Sequence, residues 1–147
     1  MTEPLTIRPQ PGPNCWVLHP PAHIWDEDRL GALTVELHDQ GLDAHTNVEV
    51  WWPPAGIDYD LPAFFRSLVD DWRGWPDVRR WRSMDAKMTI DAEHDGKGHV
   101  RLSATLRDDS SSPDAWSACV SVTVEAGEQL SRLAADVTAL FGQASSV

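Results

Sequence analysis

The chain has 147 residues, of which 41% are hydrophobic and 24% are charged, a composition typical of a protein that folds around one core. Acidic residues outnumber Lys and Arg by 23 to 12, which gives a formal net charge of −11. A negative field of this size repels nucleic acid and anionic membranes and attracts basic partners, so it argues against nucleic-acid binding.

The cysteines and the hydropathy pattern indicate the compartment. Only Cys15 and Cys119 are present, and a chain of this size needs no disulfide framework, so we expect reduced thiols. The N-terminus lacks the apolar region of a signal peptide, and no run of about 18 apolar residues occurs. The sequence therefore predicts a cytoplasmic protein that does not contact a membrane.

The first predicted elements are an extended lead-in and a short strand. Residues 1–14 contain four of the eleven prolines and show no periodicity, so we expect a poorly ordered segment ahead of a single domain at residues 15–147. A strand is predicted from Cys15 to His19, where Pro20 and Pro21 end it.

A hairpin follows, because two segments alternate apolar and polar residues on either side of Gly41. The apolar rows contain Leu33, Val35 and Leu37 in the first segment and Val48 and Val50 in the second. The polar row of the second segment contains His45, Asn47, Glu49 and Trp51. Alternation directs this polar row to solvent, and Trp51 is the tryptophan that it places outside.

The period changes to that of a helix after residue 60. Apolar residues at positions 61, 64, 65, 68 and 72 fall on one helix face. Asp60 is a suitable N-cap, and Gly74 stands where a left-handed residue ends a helix. We therefore expect Trp72 to be buried on the helix face and Trp75 to fold back on the last turn.

The second half of the chain is predicted to contain three more strands and a second helix. The strands are expected at residues 84–92, 100–106 and 116–124, and the helix at residues 130–141. The predicted fold is therefore a two-layer α+β domain in the order βββαβββα. Its six strands form one mainly antiparallel sheet, with both helices on one face.

The turn HDGKGH between the first two of these strands has a defined register. A three-residue loop that ends at Gly98 places Ala92 opposite Leu102 and keeps both apolar rows on one face. Gly98 then adopts positive φ. Because His94 and His99 point to opposite faces in this register, we expect no metal ion between them.

The segment DWRGWPDVRRWRS, residues 71–83, contains three tryptophans and four arginines. We interpret it first as a structural corner that joins helix to strand. The alternative is an anion or ligand site. Its residues would be Trp75, Arg79, Arg80, Trp81 and Arg82, since arginine favours anions and stacks on aromatic rings.

Other candidate chemistry is weaker. His19 and His23 lie close to Asp26 and Asp28, but the spacing matches no metal-binding family, and solvated loop charges have the same appearance. A second pair, Asp91 and Glu93, provides two carboxylates on the polar face of a strand. There is no Gly-x-Ser-x-Gly nucleophile elbow. We therefore expect no catalytic residue, metal ion or cofactor.

A resemblance to a known family is carried by four segments. They are FFRSLVDDWRGW (64–75), HDGKGHVRLSATLR (94–107), VEAGEQL (124–130) and LAADVTALF (133–141). With them the chain resembles, over about residues 61–142, a family of small acidic uncharacterised proteins from high-GC bacteria. After WRGW the family pattern has an Asp-Gly-type turn and a Ser-x-Glu, where this chain has WPDVRRWRSMD. The resemblance implies no activity.

The size, acidity and strand-rich layout are similar to those of immunity proteins of bacterial polymorphic-toxin systems. This similarity favours a non-enzymatic binding protein that recognises a basic partner protein through an acidic surface. The predicted contact residues are His45, Asn47, Glu49 and Trp51. The alternative is a small-ligand-binding protein or an enzyme with a pocket at the Trp/Arg corner.

Overall fold

A computed structural model describes residues 3–25, 30–51 and 60–142 of the chain. The strands in these ranges are β1 (Leu5–Ile7), β2 (Cys15–Leu18), β3 (Ala22–Trp25), β4 (Leu30–Asp39), β5 (Leu42–Trp51), β6 (Val78–Arg82), β7 (Met88–His94), β8 (His99–Arg107) and β9 (Ser117–Glu125). The helices are α1 (Leu61–Asp70) and α2 (Glu128–Gly142).

The first five strands form an antiparallel sheet around β4. Strand β5 pairs with β4 over the whole length of β4, and the other edge of β4 pairs with β3 and then with β2, which in turn pairs with β1. Pro20 and Pro21 separate β2 from β3, because proline has no N–H for the ladder and interrupts the edge. Gly41 has a φ of 75° between β4 and β5, and the predicted hairpin is confirmed.

The remaining four strands form a second antiparallel sheet in the order β6-β7-β8-β9. Ala92 pairs with Leu102, and Gly98 has a φ of 91°, so the predicted register of the β7–β8 hairpin is confirmed. His94 pairs with Val100, which puts His94 and His99 on opposite faces of this sheet.

The α+β class and the two helices are confirmed, but the single six-stranded sheet in the order βββαβββα is wrong. Three strands, β1, β3 and β6, were not predicted, because they are only three to five residues long and carry too little alternation. Strand β1 lies within the segment predicted as a lead-in and pairs with β2.

The strand predicted at residues 84–92 begins too early. Residues 84–87 form the turn between β6 and β7, in which Ala86 has a φ of 61°. The backbone N–H of Ser83 donates to the carbonyl of Met88 at 2.9 Å and closes this turn. Met84 and Ala86 continue the apolar alternation of β7 in the sequence although they lie in the turn, and this explains the error.

Helix α1 begins as predicted and ends earlier than predicted. The Asp60 carboxylate accepts a hydrogen bond from the backbone N–H of Ala63 at 3.0 Å, which is the N-cap contact. The helix ends at Asp70, where the next residue has a φ of −107° and a ψ of 36°. Trp72 has therefore left the helical face and is 49% exposed, so its predicted burial is wrong. Trp75 is 8% exposed and belongs to the core.

The inner faces of both sheets and the apolar faces of both helices form one hydrophobic core. Trp16 joins the two sheets, because its indole Nε1 on β2 donates to the Val120 carbonyl on β9 at 2.9 Å. Asn14 Nδ2 donates to the neighbouring Ser121 carbonyl at the same distance of 2.9 Å. Ser121 faces the free edge of β9, so the Asn14 bond satisfies a carbonyl that would otherwise be open to solvent or to another chain, whereas Val120 faces Ala104 of β8 and gains a second donor from Trp16.

Candidate functional site

The β4–β5 hairpin presents one polar face, which we call the outer face. Its opposite face is the core, where Leu33, Val35, Leu37 and Val50 are fully buried. The outer face consists of Ala32, Thr34, Glu36, His38, Asp43, His45, Asn47, Glu49 and Trp51. Cross-strand pairing places Glu36 opposite His45 and Thr34 opposite Asn47. The structure therefore brings the four predicted contact residues together on one surface.

A series of hydrogen bonds crosses the outer face, and we call its members, His19, Glu36, His38 and Asp43, the histidine–carboxylate chain. His19 Nε2 lies 2.5 Å from Glu36 Oε2. His38 Nε2 lies 2.9 Å from Glu36 Oε1, and His38 Nδ1 lies 2.6 Å from Asp43 Oδ1. The end of β2 supplies the first of these side chains, β4 the next two and β5 the last, so the sheet itself sets their order.

The geometry of the histidine–carboxylate chain favours a protonated His38 beside an ionised Glu36. Both ring nitrogens of His38 face carboxylate oxygens, and a neutral imidazole has only one N–H to donate, so the imidazolium alone satisfies both contacts. Hydrogen bonds to Asp43 and to Glu36 raise the pKa of His38 above its ordinary value of 6.5. Hydrogen bonds from His19 and His38 hold the pKa of Glu36 below its ordinary value of 4.5.

We expect His38→Gln to lower the free energy of unfolding by about 1 kcal/mol near pH ~5.5 and by less near pH ~9. The stability contributed by the raised pKa of His38 is complete below 6.5 and is lost as the pH rises through its folded-state pKa. The stability contributed by the lowered pKa of Glu36 is present above 4.5 and is lost as the pH falls through its folded-state pKa. Urea denaturation at the two pH values measures the difference.

The matched control for this prediction is His45→Gln. His45 is exposed on the adjacent strand and makes no hydrogen bond or ion pair within the described part of the chain. Its replacement is expected to change the free energy of unfolding by less than about 0.5 kcal/mol at either pH. An equal loss of stability in His38→Gln at both pH values would show that His38 of the histidine–carboxylate chain does not carry the predicted positive charge.

The two sheets differ in charge. The strands of the five-stranded sheet contain four acidic residues and no Lys or Arg, whereas those of the four-stranded sheet contain five arginines and three acidic residues. With His neutral, the formal charges of the strands are therefore −4 and +2. The acidic residues of the first sheet are Glu36, Asp39, Asp43 and Glu49.

The tryptophans are exposed to different extents. Trp51 lies on the outer face, as the alternation predicts, but it is partly buried, and its Nε1 is enclosed without a hydrogen-bond partner among the described residues. Trp72 is 49% exposed, and Trp116, next to the start of β9, is 41% exposed. Trp51 is therefore not the one outward tryptophan. The sequence placed Trp72 on the buried helix face and Trp116 on the apolar row of the strand at 116–124, but both residues lie outside those elements, and both predictions are wrong.

The Trp/Arg corner is built mainly from internal contacts. Trp75 and Trp81 are 8% and 5% exposed and belong to the core. Arg79 lies over the Trp75 ring at 4.9 Å and donates to Asp71 Oδ2 at 2.6 Å. Arg80 holds both carboxylate oxygens of its cross-strand partner Asp91, at 2.6 and 3.1 Å, and Arg82 is exposed at the end of β6. Two of the three candidate arginines therefore already hold carboxylates of the same chain.

The weaker candidates are dispersed. The side chain of His23, together with Asp26 and Asp28, lies outside the described residues, and His19 belongs to the histidine–carboxylate chain. Across residues 3–25, 30–51 and 60–142, no group of three or more His, Cys, Asp or Glu residues is arranged to hold a metal ion. No helix in these ranges is long and apolar enough to cross a membrane.

Most of the histidine–carboxylate chain was not predicted from the sequence. A signal was present for three members, because Glu36 and His38 share the polar row of β4 and the turn at Gly41 pairs position 38 with Asp43. For His19 there was none, since its position beside Glu36 requires β2 to pair with β4.

Residues 19–144 match DUF6228, a family of unknown function, and the chain belongs to that family. No curated protein and no solved structure matches the chain. The predicted resemblance to an uncharacterised family is thus confirmed, while its immunity-type role stays a prediction.

Proposed function

We propose that this member of the DUF6228 family is a non-enzymatic binding protein that recognises a basic partner protein through the outer face of its five-stranded sheet. The observation that carries the proposal is the segregation of charge, with four acidic residues and no Lys or Arg on the strands of that sheet. A concentrated acidic surface attracts a basic partner at long range and orients its approach. Neutralisation of a basic toxin domain, as in immunity proteins, is the specific form of this function that we propose.

The outer face also has the rigidity that a binding surface needs. Strands β4 and β5 are ten residues long and paired throughout, and Thr34 donates to Asn47 across them at 2.6 Å. Side chains held on a rigid sheet lose little conformational entropy on binding, which improves affinity. Trp51, the last residue of β5, supplies a partly exposed aromatic group of the kind that anchors such interfaces.

The contacts of the histidine–carboxylate chain support binding rather than catalysis. A general base needs a lone pair directed at substrate, whereas both ring nitrogens of His38 are already engaged by carboxylates. Glu36 in turn is engaged through both of its oxygens. These side chains therefore act in the proposal as a fixed pattern of charge.

Association with a basic protein encoded beside this chain is expected to slow about tenfold or more as NaCl rises from about 50 to 500 mM. The reason is that salt screens exposed charges over about 8–10 Å at physiological ionic strength. Stopped-flow or surface-based kinetics measure the rate. Glu49→Gln is expected to slow association, and the matched control Glu93→Gln, which removes the same charge from the four-stranded sheet, is expected to have a smaller effect.

Trp51→Ala is expected to leave the association rate nearly unchanged and to speed dissociation about tenfold or more, because an aromatic anchor stabilises the bound state rather than the encounter. Circular dichroism and urea denaturation establish that the variant is folded at the assay temperature. Salt-independent association together with unaltered dissociation of Trp51→Ala would refute the proposed function.

A further inference from the structure

A groove lies beside the outer face, between the start of β5, the end of β8 and the start of β9. Its volume is about 530 Å³, and its lining includes Leu42, Asp43, His45, Asp108 and Trp116. None of the residues that line it is Lys or Arg. Because Asp43 and His45 belong to the outer face, the groove is continuous with the surface of the proposed function, on which this inference rests.

Trp116 and Asp108 are held at the groove by backbone pairing. The backbone N–H of Asp108 donates to the Trp116 carbonyl at 3.2 Å, where the ladder between β8 and β9 ends. Trp116 exposes 41% of its surface although its neighbours in β9 alternate into the core. An exposed indole beside the Asp108 carboxylate, which follows the end of β8, offers an aromatic surface and a negative charge together.

The second carboxylate comes from the other side of the groove. The Asp43 side chain is 84% exposed and uses Oδ1 for the bond to His38. Asp43 thus contributes to a groove with carboxylates on both walls and an indole beside them. By contrast Asp109, the neighbour of Asp108, is engaged by the backbone N–H and the hydroxyl of Ser111 at 2.9 and 2.8 Å and does not line the groove.

We propose that this groove binds an arginine side chain of the basic partner, with the guanidinium stacked on Trp116 and hydrogen-bonded to Asp108 and Asp43. Arginine fits this set because its planar guanidinium stacks on aromatic rings and presents five N–H donors in a plane, and it is less strongly hydrated than the lysine ammonium. Charge complementarity identifies the occupant, since the lining carries two carboxylates and no basic side chain except His45.

The test uses the full chain and N-acetyl-argininamide as the probe, with the indole N–H resonances of the tryptophans followed by NMR. Trp116→Phe and Trp72→Phe assign the two exposed indoles. We expect the Trp116 resonance to shift and saturate with the arginine derivative, and the Trp72 resonance to stay in place. N-acetyl-citrullinamide, which has a similar shape and no charge, is expected to cause no shift at the same ionic strength.

Two aspartate variants make the test specific. Asp108→Asn is expected to weaken binding of the arginine derivative about two- to fivefold, the range for exposed ion pairs and cation–π contacts. Asp109→Asn removes the same charge one residue away and is expected to leave the affinity unchanged. Equal shifts with citrulline, equal shifts of Trp72, or an unaltered affinity in Asp108→Asn would each overturn the arginine site.

This result is separable from that of the proposed function. Salt-dependent association with the basic partner, together with no selective shift at Trp116, would leave the outer face as the binding surface and reject the groove. Stronger shifts with N-acetyl-lysinamide than with the arginine derivative would also reject the proposal, because they would show a site selective for a point charge rather than for a guanidinium.

Discussion

Trp16→Ala is expected to lower the free energy of unfolding by about 3–5 kcal/mol, which would be among the largest effects of any single substitution in this chain. Trp16 is 0% exposed, so alanine leaves a cavity where the two sheets meet. The substitution also removes the hydrogen bond from Nε1 to the Val120 carbonyl at 2.9 Å, which links the two sheets. Urea denaturation followed by circular dichroism measures the loss.

Two further variants separate packing from hydrogen bonding. Trp16→Phe keeps most of the apolar volume and loses the donor, so we expect a loss of about 1–3 kcal/mol. Trp116→Ala, at a tryptophan that is 41% exposed, is expected to cost less than about 1 kcal/mol. A loss below about 1 kcal/mol for Trp16→Ala would mean that Trp16 does not join the two sheets.

The second large effect is expected at the Trp/Arg corner, where Trp75→Ala should cost about 3–4 kcal/mol. Trp75 is 8% exposed, its Nε1 donates to the Ala92 carbonyl at 3.0 Å, and its ring meets the His94 ring edge-to-face at 5.3 Å. Gly74 permits the His94 ring to lie close to the backbone beside Trp75, because Gly74 has a φ of 135° and a Cβ there would lie 3.3 Å from His94 Nδ1.

Trp72→Ala is the matched control for Trp75→Ala, since it removes the same side chain three positions earlier. Trp72 is 49% exposed, and its side chain makes its ring contact with Arg73, so we expect a cost below about 1 kcal/mol. Thermal or urea unfolding of both variants provides the comparison. A larger loss for Trp72→Ala than for Trp75→Ala would restore the helical assignment of Trp72 and contradict the observed end of α1.

Longer elements and tight turns could be predicted from the sequence because their determinants are local. The alternation of β4, β5, β8 and β9 depends on adjacent residues, and the register of the β7–β8 hairpin follows from loop length and the need to keep both apolar rows on one face. Asp60 was identified as an N-cap because its bond to Ala63 spans only three residues. The strands that escaped prediction have at most five residues and too little alternation of apolar and polar residues, whereas β2, with four residues, was predicted from an apolar run that ends at two prolines.

The candidate site was predictable to the extent that it lies within one hairpin. The turn at Gly41 determines which residues of β4 and β5 face each other, so His45, Asn47, Glu49 and Trp51 could be placed on one surface from the sequence. The exposure of Trp51 could not be predicted, because it depends on what packs beside the end of β5. The predicted burial of Trp72 was wrong for a related reason, because a helical spacing can continue in the sequence after the helix itself has ended.

By itself, then, the sequence determined the α+β class, the two helices, the main hairpins and the polar row of β5, because each depends on contacts between residues close in the chain. The tertiary structure alone decided that the strands divide into two sheets of opposite charge, that Trp16 reaches Val120 across 104 positions, and that His19 lies beside Glu36. It also decided that the start of β5 adjoins the end of β8 and the start of β9 and forms the groove at Trp116. These arrangements depend on how whole sheets pack to share one core, and no local pattern of residues encodes that choice.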